Sequence, residues 1–321
     1  MAVKGGCSLR IAALVGIFIL ALFLTGLIVG PLGTSLLGIT PPKAIAVPKP
    51  HVELPSEGVA HIGSFTITNT LIASWLTIIV LVGLFYVCTR KMTLIPGRLQ
   101  SLAEMVVETM LNFIDEVAGQ KNARTLFPVV ATIFLYVITN AYMGLLPFYG
   151  SIGINEVHEH ESIFVPLLRA ANTDVNVPLS IALVSFVFVE YLGFRAVGVP
   201  KYINSFFKFD QLRDGIVSLF KGKLRPAITG ILFGFINIFV GCLEVFSHFI
   251  RIISFTFRLF GNMTAGEILL LVVCFLVPLI ATIPFYGLEL LIGFIQALIF
   301  AGLTLVFGVI ALTPHTEEER T

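Results

Sequence analysis

The chain of 321 residues is 57% hydrophobic and only 12% charged, and its mean hydropathy is +0.98. These values differ strongly from those of soluble domains and indicate a polytopic membrane protein. The formal net charge of +1 argues against nucleic-acid binding, and the sequence has no basic patch, phosphate-binding glycine loop or zinc-ligand spacing. No cofactor or metal is expected, and any nucleotide chemistry belongs to a partner chain.

Apolar segments long enough to cross a bilayer follow one another along the chain. They occupy residues 11–30, 67–88, 127–148 and 177–198, followed by a nearly continuous apolar tract at 226–312. The first segment fits either a secretory signal or an anchor. Lys4 and Arg10 precede it as in a signal peptide, but its length and the lack of an A-x-A site favour a retained anchor.

The expected fold is an all-α membrane protein with about five to six membrane helices and one amphipathic surface helix. The last two membrane helices are long and tilted and form a hairpin over residues 226–312. Residues 1–66 comprise the hydrophobic anchor or signal-like segment and an outer proline-rich stretch. Residues 67–321 form the main membrane domain.

Loop charge predicts the orientation, because Lys and Arg are retained on the cytoplasmic side. Segments 89–126 and 195–228 are rich in basic residues, whereas 31–66 and 149–176 contain only Lys43, Lys49 and Arg169. The N-terminus and the two basic loops are therefore expected inside. The proline-rich segment and the loop at 149–176 are expected outside.

Segment 97–118 is predicted to be an amphipathic helix that does not span the membrane. Acidic residues occupy its other face, and its apolar residues at helical spacing are Leu99, Leu102, Met105, Val106, Met110, Phe113 and Ile114. The helix either lies along the cytoplasmic membrane surface or packs on other protein.

The final apolar tract is too long for one upright helix. Residues 226–275 would extend about 75 Å at 1.5 Å per residue, whereas the hydrocarbon layer is about 30 Å thick. A single helix must therefore bend or tilt strongly. Pro278 and Pro284 predict a reversal before a second long helix at 285–312.

A stripe of polar residues lies within this tract. Glu244, Arg251, Arg258 and Asn262 follow at spacings of 7, 7 and 4, which places them on one face of a helix. A guanidinium at the bilayer centre costs about 3 kcal/mol or more and cannot lose its proton. Arg258 therefore either reaches an interface, pairs with a fixed acid, or serves ion transport.

Glu267 follows Arg258 by nine residues and points to the opposite side of the helix. This arrangement suits two separate aqueous half-paths better than one pore. If the chain reverses near 278, Glu267 and Glu289 lie at the same depth, where they either share a proton or only join the helices by hydrogen bonds. Gln296 lies near the level of Arg258 and can solvate the guanidinium.

Other polar groups are less informative. In the sequence NTDVN (172–176), Asn172, Asp174 and Asn176 either line a water entrance near Glu267 and Glu289 or form a plain helix N-cap cluster. The HEHE run (158–161) is more simply a solvated loop than a metal site. The four scattered cysteines predict neither disulfides nor a metal site.

Several blocks of the sequence resemble the a subunit of F-type ATP synthases. FRLFGNMTAGEILL (257–270) resembles the signature of that family, and IQALIFAGLTLVF (295–307) is similar to its last helix. Four further blocks occur in the family's order, with similar spacing: TNTLIASWL (68–76), PGRLQSLAEMVVE (96–108), FPVVATIFLYVITNAYMGLLPF (127–148) and NTDVNVPLSIAL (172–183). The hydrophobic N-terminal segment and the proline-rich stretch depart from many bacterial members.

The resemblance implies a stator subunit that is not catalytic on its own and conducts protons to a rotating c-ring through two half-channels. It also implies b-type peripheral stalk subunits, other ATP synthase subunits and the lipid of a bacterial plasma membrane as partners. Arg258 matches the essential arginine that prevents a proton short-circuit, and Asn262 matches the motif asparagine. The outer half-channel would use Glu267, Glu289, Gln296, Asp174, Asn172 and Asn176, and the inner one Glu244, Ser254 and Arg251.

An alternative is a stand-alone secondary transporter or ion channel, with its substrate site at Glu267 and Glu289. Such a protein is expected to contain inverted repeats, and none is visible in the sequence.

Overall fold

The computed structural model describes residues 5–38, 55–63, 65–158, 161–198, 202 and 224–313. In these ranges the helices are α1 (Gly5–Val29), α2 (Pro31–Leu37), α3 (Asn69–Thr89), α4 (Arg98–Ala118), α5 (Gln120–Gly144), α6 (Asn176–Val197), α7 (Leu224–Leu276) and α8 (Thr282–Leu312). Short 3-10 helices lie at Ala171–Thr173 and Leu279–Ala281. The strands are β1 (Gly58–Ile62), β2 (Phe65–Thr68), β3 (Gly153–His158) and β4 (Glu161–Pro166).

Five helices in the described part of the chain are long and apolar enough to cross a membrane: α3, α5, α6, α7 and α8. Within α1, the apolar stretch Ala13–Val29 is shorter. The predicted all-α membrane fold is therefore confirmed.

The last two helices are long and follow each other closely in the chain. Helix α7 continues unbroken for 53 residues, about 80 Å at the usual rise, and ends at Leu276. Pro278 is extended, and α8 begins at Thr282 after a single 3-10 turn. The reversal lies where it was predicted, but α8 begins three residues earlier than expected. Pro284 falls in its first turn, where a missing N–H breaks no helical hydrogen bond.

Helix α1 packs against this reversal. A Cβ atom at Gly26 would collide with the carbonyl of Pro278, and one at Gly30 with the carbonyl of Leu276. Glycine at these positions therefore permits the close approach of α1 to the end of α7.

Two short antiparallel hairpins were not predicted. One pairs β1 with β2, and the other pairs β3 with β4 in register from Gly153↔Pro166 to His158↔Glu161. His158 and Glu161 of the HEHE run form the last pair of the second hairpin, whereas residues 159 and 160 and the side chains of the run lie outside the described residues. Each hairpin occupies one of the loops expected on the outer side.

Helix α4 begins and ends within one residue of its predicted bounds. Leu99, Leu102 and Met105 are each more than half exposed, whereas Ile114 is fully buried. The apolar face is therefore open at its N-terminal end and packed on this chain at its C-terminal end. The open part is the part available to a membrane surface or another protein.

The chain divides into two compact units. The first contains Met1–Thr77, Ile138–Asp174 and Phe260–Gln296, and the second contains Ile78–Val137, Val175–Leu259 and Ala297–Thr321. Ala73, Ala171 and Met263 are buried in the first unit, and Leu126, Leu192 and Leu305 in the second. Neither unit is one continuous stretch of chain, so the division at residue 66 stays a prediction.

Candidate functional site

Arg258 lies on an exposed face of α7, within a helix apolar enough to span a membrane. Asn262, one turn further on, is also exposed, and a Cβ atom at Gly261 would meet open space. Among the residues that the structure describes, none forms a salt bridge or hydrogen bond with Arg258.

In the first unit, Glu267 of α7 pairs with Arg169, which lies between β4 and α6. Arg169 Nε donates to both carboxylate oxygens of Glu267 at 3.1 Å, and Nη2 donates to Oε2 at 3.1 Å. Arg169 Nη1 also donates to the carbonyl of Pro55 at 3.2 Å. The Arg169 side chain is 9% exposed and that of Glu267 is 30% exposed, so the acid is the partner that solvent reaches.

Asp174 lies in the same unit and is held by two hydroxyl groups. Ser56 Oγ donates to Asp174 Oδ2 at 2.8 Å, and Thr70 Oγ1 donates to the same oxygen at 3.0 Å. The N-cap residue of α6 is Val175, which makes no side-chain cap hydrogen bond. The choice between a water entrance and an N-cap cluster at residues 172–176 stays a prediction. Arg169, Glu267, Asp174, Ser56 and Thr70 are hereafter called the Glu267 cluster.

Asn172 is fully buried beside Asn140 of α5. Asn140 Nδ2 donates to Asn172 Oδ1 at 3.1 Å, while Asn140 Oδ1 accepts from the backbone N–H of Ala171 at 3.3 Å. This pairing fixes the 3-10 turn that separates Arg169 from Asp174. Asn176 belongs to the second unit, and its side chain is exposed.

Buried polar atoms without a hydrogen-bond partner concentrate in the first unit. In the described part of that unit they are Asn69 Oδ1, Asn172 Nδ2, Thr264 Oγ1, Thr282 Oγ1 and Glu289 Oε2. Such atoms normally bind ordered water, because leaving them dry costs about 1–3 kcal/mol each. These atoms are the positions in this unit where ordered water or a partner chain would supply hydrogen bonds.

Glu289 of α8 is buried, and its carboxylate lies against Gly266 of α7. A Cβ atom at Gly266 would collide with that carboxylate, so glycine leaves the room that Glu289 occupies. Glu267 hydrogen-bonds to Arg169 and not to Glu289. Proton sharing between the two carboxylates stays a prediction.

Gln296 of α8 is buried, as expected for a residue beside a buried path. It belongs to the first unit, whereas Arg258 belongs to the second. The solvation of Arg258 by Gln296 stays a prediction.

The second unit has a cluster of its own, which the sequence did not reveal. Glu190 of α6 accepts a hydrogen bond from Tyr202 Oη at 2.8 Å, and its other oxygen lies 2.7 Å from His248 Nδ1 of α7. The side chains of His248 and Glu190 are 18% and 15% exposed. Phe186 packs edge-on against the His248 ring. Glu190, His248 and Tyr202, with Arg251, are hereafter called the Glu190 cluster.

Arg251 lies three residues beyond His248 and near enough to Glu190 for an electrostatic interaction. Its guanidinium carbon lies 3.5 Å from the ring centroid of Phe307, a cation–π contact that holds the side chain in place. Arg251 also lines a small cavity with Ser185, Phe186 and Val189, of about 10 Å³, close to the space that one water needs. Ser185 itself hydrogen-bonds to Thr304 of α8 at 2.7 Å.

Glu244 and Ser254 of α7 are exposed. Glu244 lies near enough to Tyr202 for an electrostatic interaction, which connects it with the Glu190 cluster. Burial, followed by the hydrogen bond to Glu190, raises the pKa of Tyr202 above its ordinary value. Tyr202 therefore remains a protonated donor at physiological pH.

Sequence reasoning missed Arg169 as a partner and missed Glu190, His248 and Tyr202 entirely. Arg169 was noted only as one of the few cations of an outer loop, and its partner Glu267 is 98 residues away. Glu190 is an acid within a predicted membrane segment, which was the one signal available for it.

Comparison with known proteins agrees with the sequence blocks. The family model "ATP synthase A chain" matches residues 71–308, more than half of the chain. ATP synthase subunit a of Campylobacter jejuni subsp. doylei is 31% identical over 220 residues, covering 68% of this chain and 79% of that relative. The Gloeobacter violaceus subunit a is 27% identical over 249 residues, covering 78% and 85%. The Moorella thermoacetica subunit a is 25% identical over 249 residues, covering 78% and 93%.

The matched region contains Arg258 and all charged members of the two clusters. Such coverage by a family model, together with relatives that span most of both chains, decides the assignment. This chain belongs to the ATP synthase A chain family.

Proposed function

We propose that this chain is the proton-conducting stator subunit of an F-type ATP synthase and provides two half-channels to a rotating c-ring. Its family membership makes it a membrane subunit of that complex and a partner of other ATP synthase subunits. On its own it hydrolyses no ATP. Its helices support a multi-pass location, and the bacterial relatives favour the bacterial plasma membrane.

The exposed position of Arg258 carries the proposal. A guanidinium in an apolar helix needs a counter-charge, and the described part of the chain supplies none. A carboxylate on a neighbouring ring subunit would supply one. The open space at Gly261 and the exposed Asn262 favour close approach of such a helix.

The permanent charge of Arg258 gives it a task in this proposal. It stabilises a ring carboxylate in the ionised form, so a protonated carboxylate must release its proton before it passes. Direct proton flow between the half-channels is thereby blocked. Lys would serve less well, because a desolvated ammonium can lose its proton.

The first unit supports an outer half-channel. Its unpartnered buried atoms, among them Asn172 Nδ2 and Glu289 Oε2, favour a water-filled path. Glu267 and Asp174 offer carboxylates along that path, and Gln296 a buried amide. The second unit supports an inner half-channel that contains Glu244, Ser254 and Arg251. The loop charges favour the cytoplasmic side for this second path.

ATP-driven acidification of vesicles that contain the whole complex tests the proposal. Arg258→Ala is expected to abolish acidification while the assembled complex remains in the membrane. Arg90→Ala is the matched control, because Arg90 is an exposed arginine beyond the end of α3. Repeating the assay with and without Na⁺ identifies the transported ion.

Normal acidification by Arg258→Ala would overturn the proposal and favour the transporter alternative. In that case, uptake of a solute by the purified chain alone would be the next measurement. No contact in the described residues specifically favours the transporter alternative.

A further inference from the structure

We propose that Glu190 and His248 carry protons along the inner half-channel, with Tyr202 holding the carboxylate in place. This inference rests on the proposed function and adds two proton-carrying residues to it. It is drawn from the second unit alone, in which α6, α7 and Tyr202 bring these side chains together.

The contact geometry suits proton transfer. A carboxylate oxygen and an imidazole nitrogen at 2.7 Å are within direct hydrogen-bond reach, and both groups can take up and release protons. Tyr202 occupies the other oxygen of Glu190 and so fixes which oxygen faces His248. The carboxylate is therefore oriented toward the imidazole and cannot rotate away without losing a hydrogen bond.

The surroundings of the pair favour a role in proton conduction over a purely structural hydrogen bond. Both side chains keep 15–18% exposure, so the pair is not sealed inside this chain. The cavity beside Phe186, Val189 and Arg251 has room for about one water. Arg251 and Glu244, both expected on the inner path, interact electrostatically with members of the pair or with Tyr202.

The proposed relay conserves protons and charge in each cycle. A proton that arrives at Glu190 is donated by the carboxyl group to Nδ1 of an imidazole that carries its own proton on Nε2, which gives a carboxylate beside an imidazolium. Release of the Nε2 proton to water leaves the Nδ1–H tautomer, and exchange of that proton to Nε2 through water resets the pair. Each proton taken up is thereby matched by one released.

Substitutions of Glu190 distinguish proton transfer by this residue from a purely structural hydrogen bond. Glu190→Gln keeps the size and hydrogen-bonding capacity of the side chain but cannot take up a proton, whereas Glu190→Asp is shorter but still titrates. In vesicles with the whole complex, Glu190→Gln is expected to lower the initial acidification rate about tenfold, within reach of a general acid–base group. Glu190→Asp is expected to retain more activity than Glu190→Gln.

His248 provides the second test. The double variant Glu190→Gln/His248→Gln is expected to pump about as slowly as Glu190→Gln alone, because residues that act as one unit are not additive. The solvent isotope effect of D₂O is expected to rise in Glu190→Gln, where proton transfer becomes slower than rotation. Glu108→Gln is the control, since Glu108 is an exposed acid of α4.

Either of two results would overturn the relay: unchanged acidification by Glu190→Gln, or better acidification by Glu190→Gln than by Glu190→Asp. Arg258→Ala, measured in the same vesicles, separates the two proposals. If Arg258→Ala stops pumping while Glu190→Gln pumps normally, only the relay fails. If Arg258→Ala pumps normally, the proposed function itself fails.

Discussion

The two units of this chain differ in how their buried polar side chains find hydrogen-bond partners. In the described part of the first unit, several fully or nearly fully buried atoms have no protein partner, including Asn172 Nδ2 and Glu289 Oε2. In the described part of the second unit, no buried side-chain polar atom is left in this state. The described residues of the first unit thus leave buried polar atoms for water or a partner chain to bind, whereas those of the second unit find partners within the chain.

The two clusters also differ in how they hold their acids. Glu267 has a bidentate partner of permanent charge, Arg169. Glu190 has an imidazole partner, His248, and a hydroxyl donor, Tyr202. A fixed ion pair sets a path's electrostatics, whereas a titrating pair can pass protons along it.

The largest expected effect comes from breaking the ion pair of the first unit. Arg169→Ala leaves the carboxylate of Glu267 without its counter-charge and the carbonyl of Pro55 without its donor, and it is therefore expected to destabilise the first unit. Loss of most assembled complex and of acidification is expected, as measured by the amount of subunit in membranes and by ATP-driven pumping.

The double variant Arg169→Ala/Glu267→Ala separates stability from transport. It removes both charges and is expected to restore the amount of complex but not acidification. Restored acidification would show that the ion pair only stabilises the fold.

The next largest expected effect is a difference between the two units in how fast an introduced cysteine is labelled. In a variant without the native cysteines, Asn172→Cys is expected to react with a methanethiosulfonate reagent, because its surroundings hold water. Ser185→Cys, at a buried site that is hydrogen-bonded to Thr304 in the second unit, is expected to react far more slowly. An exposed Thr89→Cys variant is the control for the labelling rate. If Asn172→Cys and Ser185→Cys react at equal rates relative to this control, the two units do not differ in water access.

A smaller effect is expected from Gly266→Ala. The added methyl group collides with the carboxylate of Glu289, which is the far end of a flexible side chain and moves aside without unfolding the helices. Displacement of a transport group by about 1 Å is expected to lower acidification about tenfold, with normal assembly. Gly83→Ala, in open space on α3, is the control. Unchanged pumping would exclude Glu289 from the path.

The smallest effect is expected from Tyr202→Phe, which removes one hydrogen bond worth about 1 kcal/mol. Because the pKa of Tyr202 is raised, its hydroxyl stays protonated below the ordinary tyrosine pKa and ionises only at a still higher pH. The ratio of wild-type to variant acidification is therefore expected to be constant between about pH 6 and 9. Tyr191→Phe, an exposed neighbour, is the control. A ratio that changes across this range would contradict the assignment of Tyr202 as a neutral donor.

Much of the fold could be predicted from the hydrophobicity of segments, their length and the positions of proline. The length of the apolar tract at 226–312 required two long helices, and Pro278 marked their reversal. The two hairpins were missed, because short strands in outer loops carry little periodic signal beside membrane helices.

The candidate site was predicted less completely than the fold. Glu267 and Glu289 were predicted to be paired from their equal distance to the reversal, but equal depth says nothing about which face a carboxylate uses. Arg169 could be assigned to Glu267 only once the chain was folded, because a loop residue gives no direction to its side chain. Glu190 and His248 lie on different helices, 58 residues apart, so spacing within one helix could not reveal them.

The sequence by itself determined the membrane class, the two long last helices and the position of Arg258 within an apolar helix, because each depends on hydrophobicity, length or motif within one segment. Only the tertiary structure decided the partners of the acids: Arg169 with Glu267, His248 and Tyr202 with Glu190, and Gly266 beside the Glu289 carboxylate. The physical reason is that hydrogen bonds and ion pairs act over about 3 Å, and residues distant in sequence reach that separation only through packing of the helices.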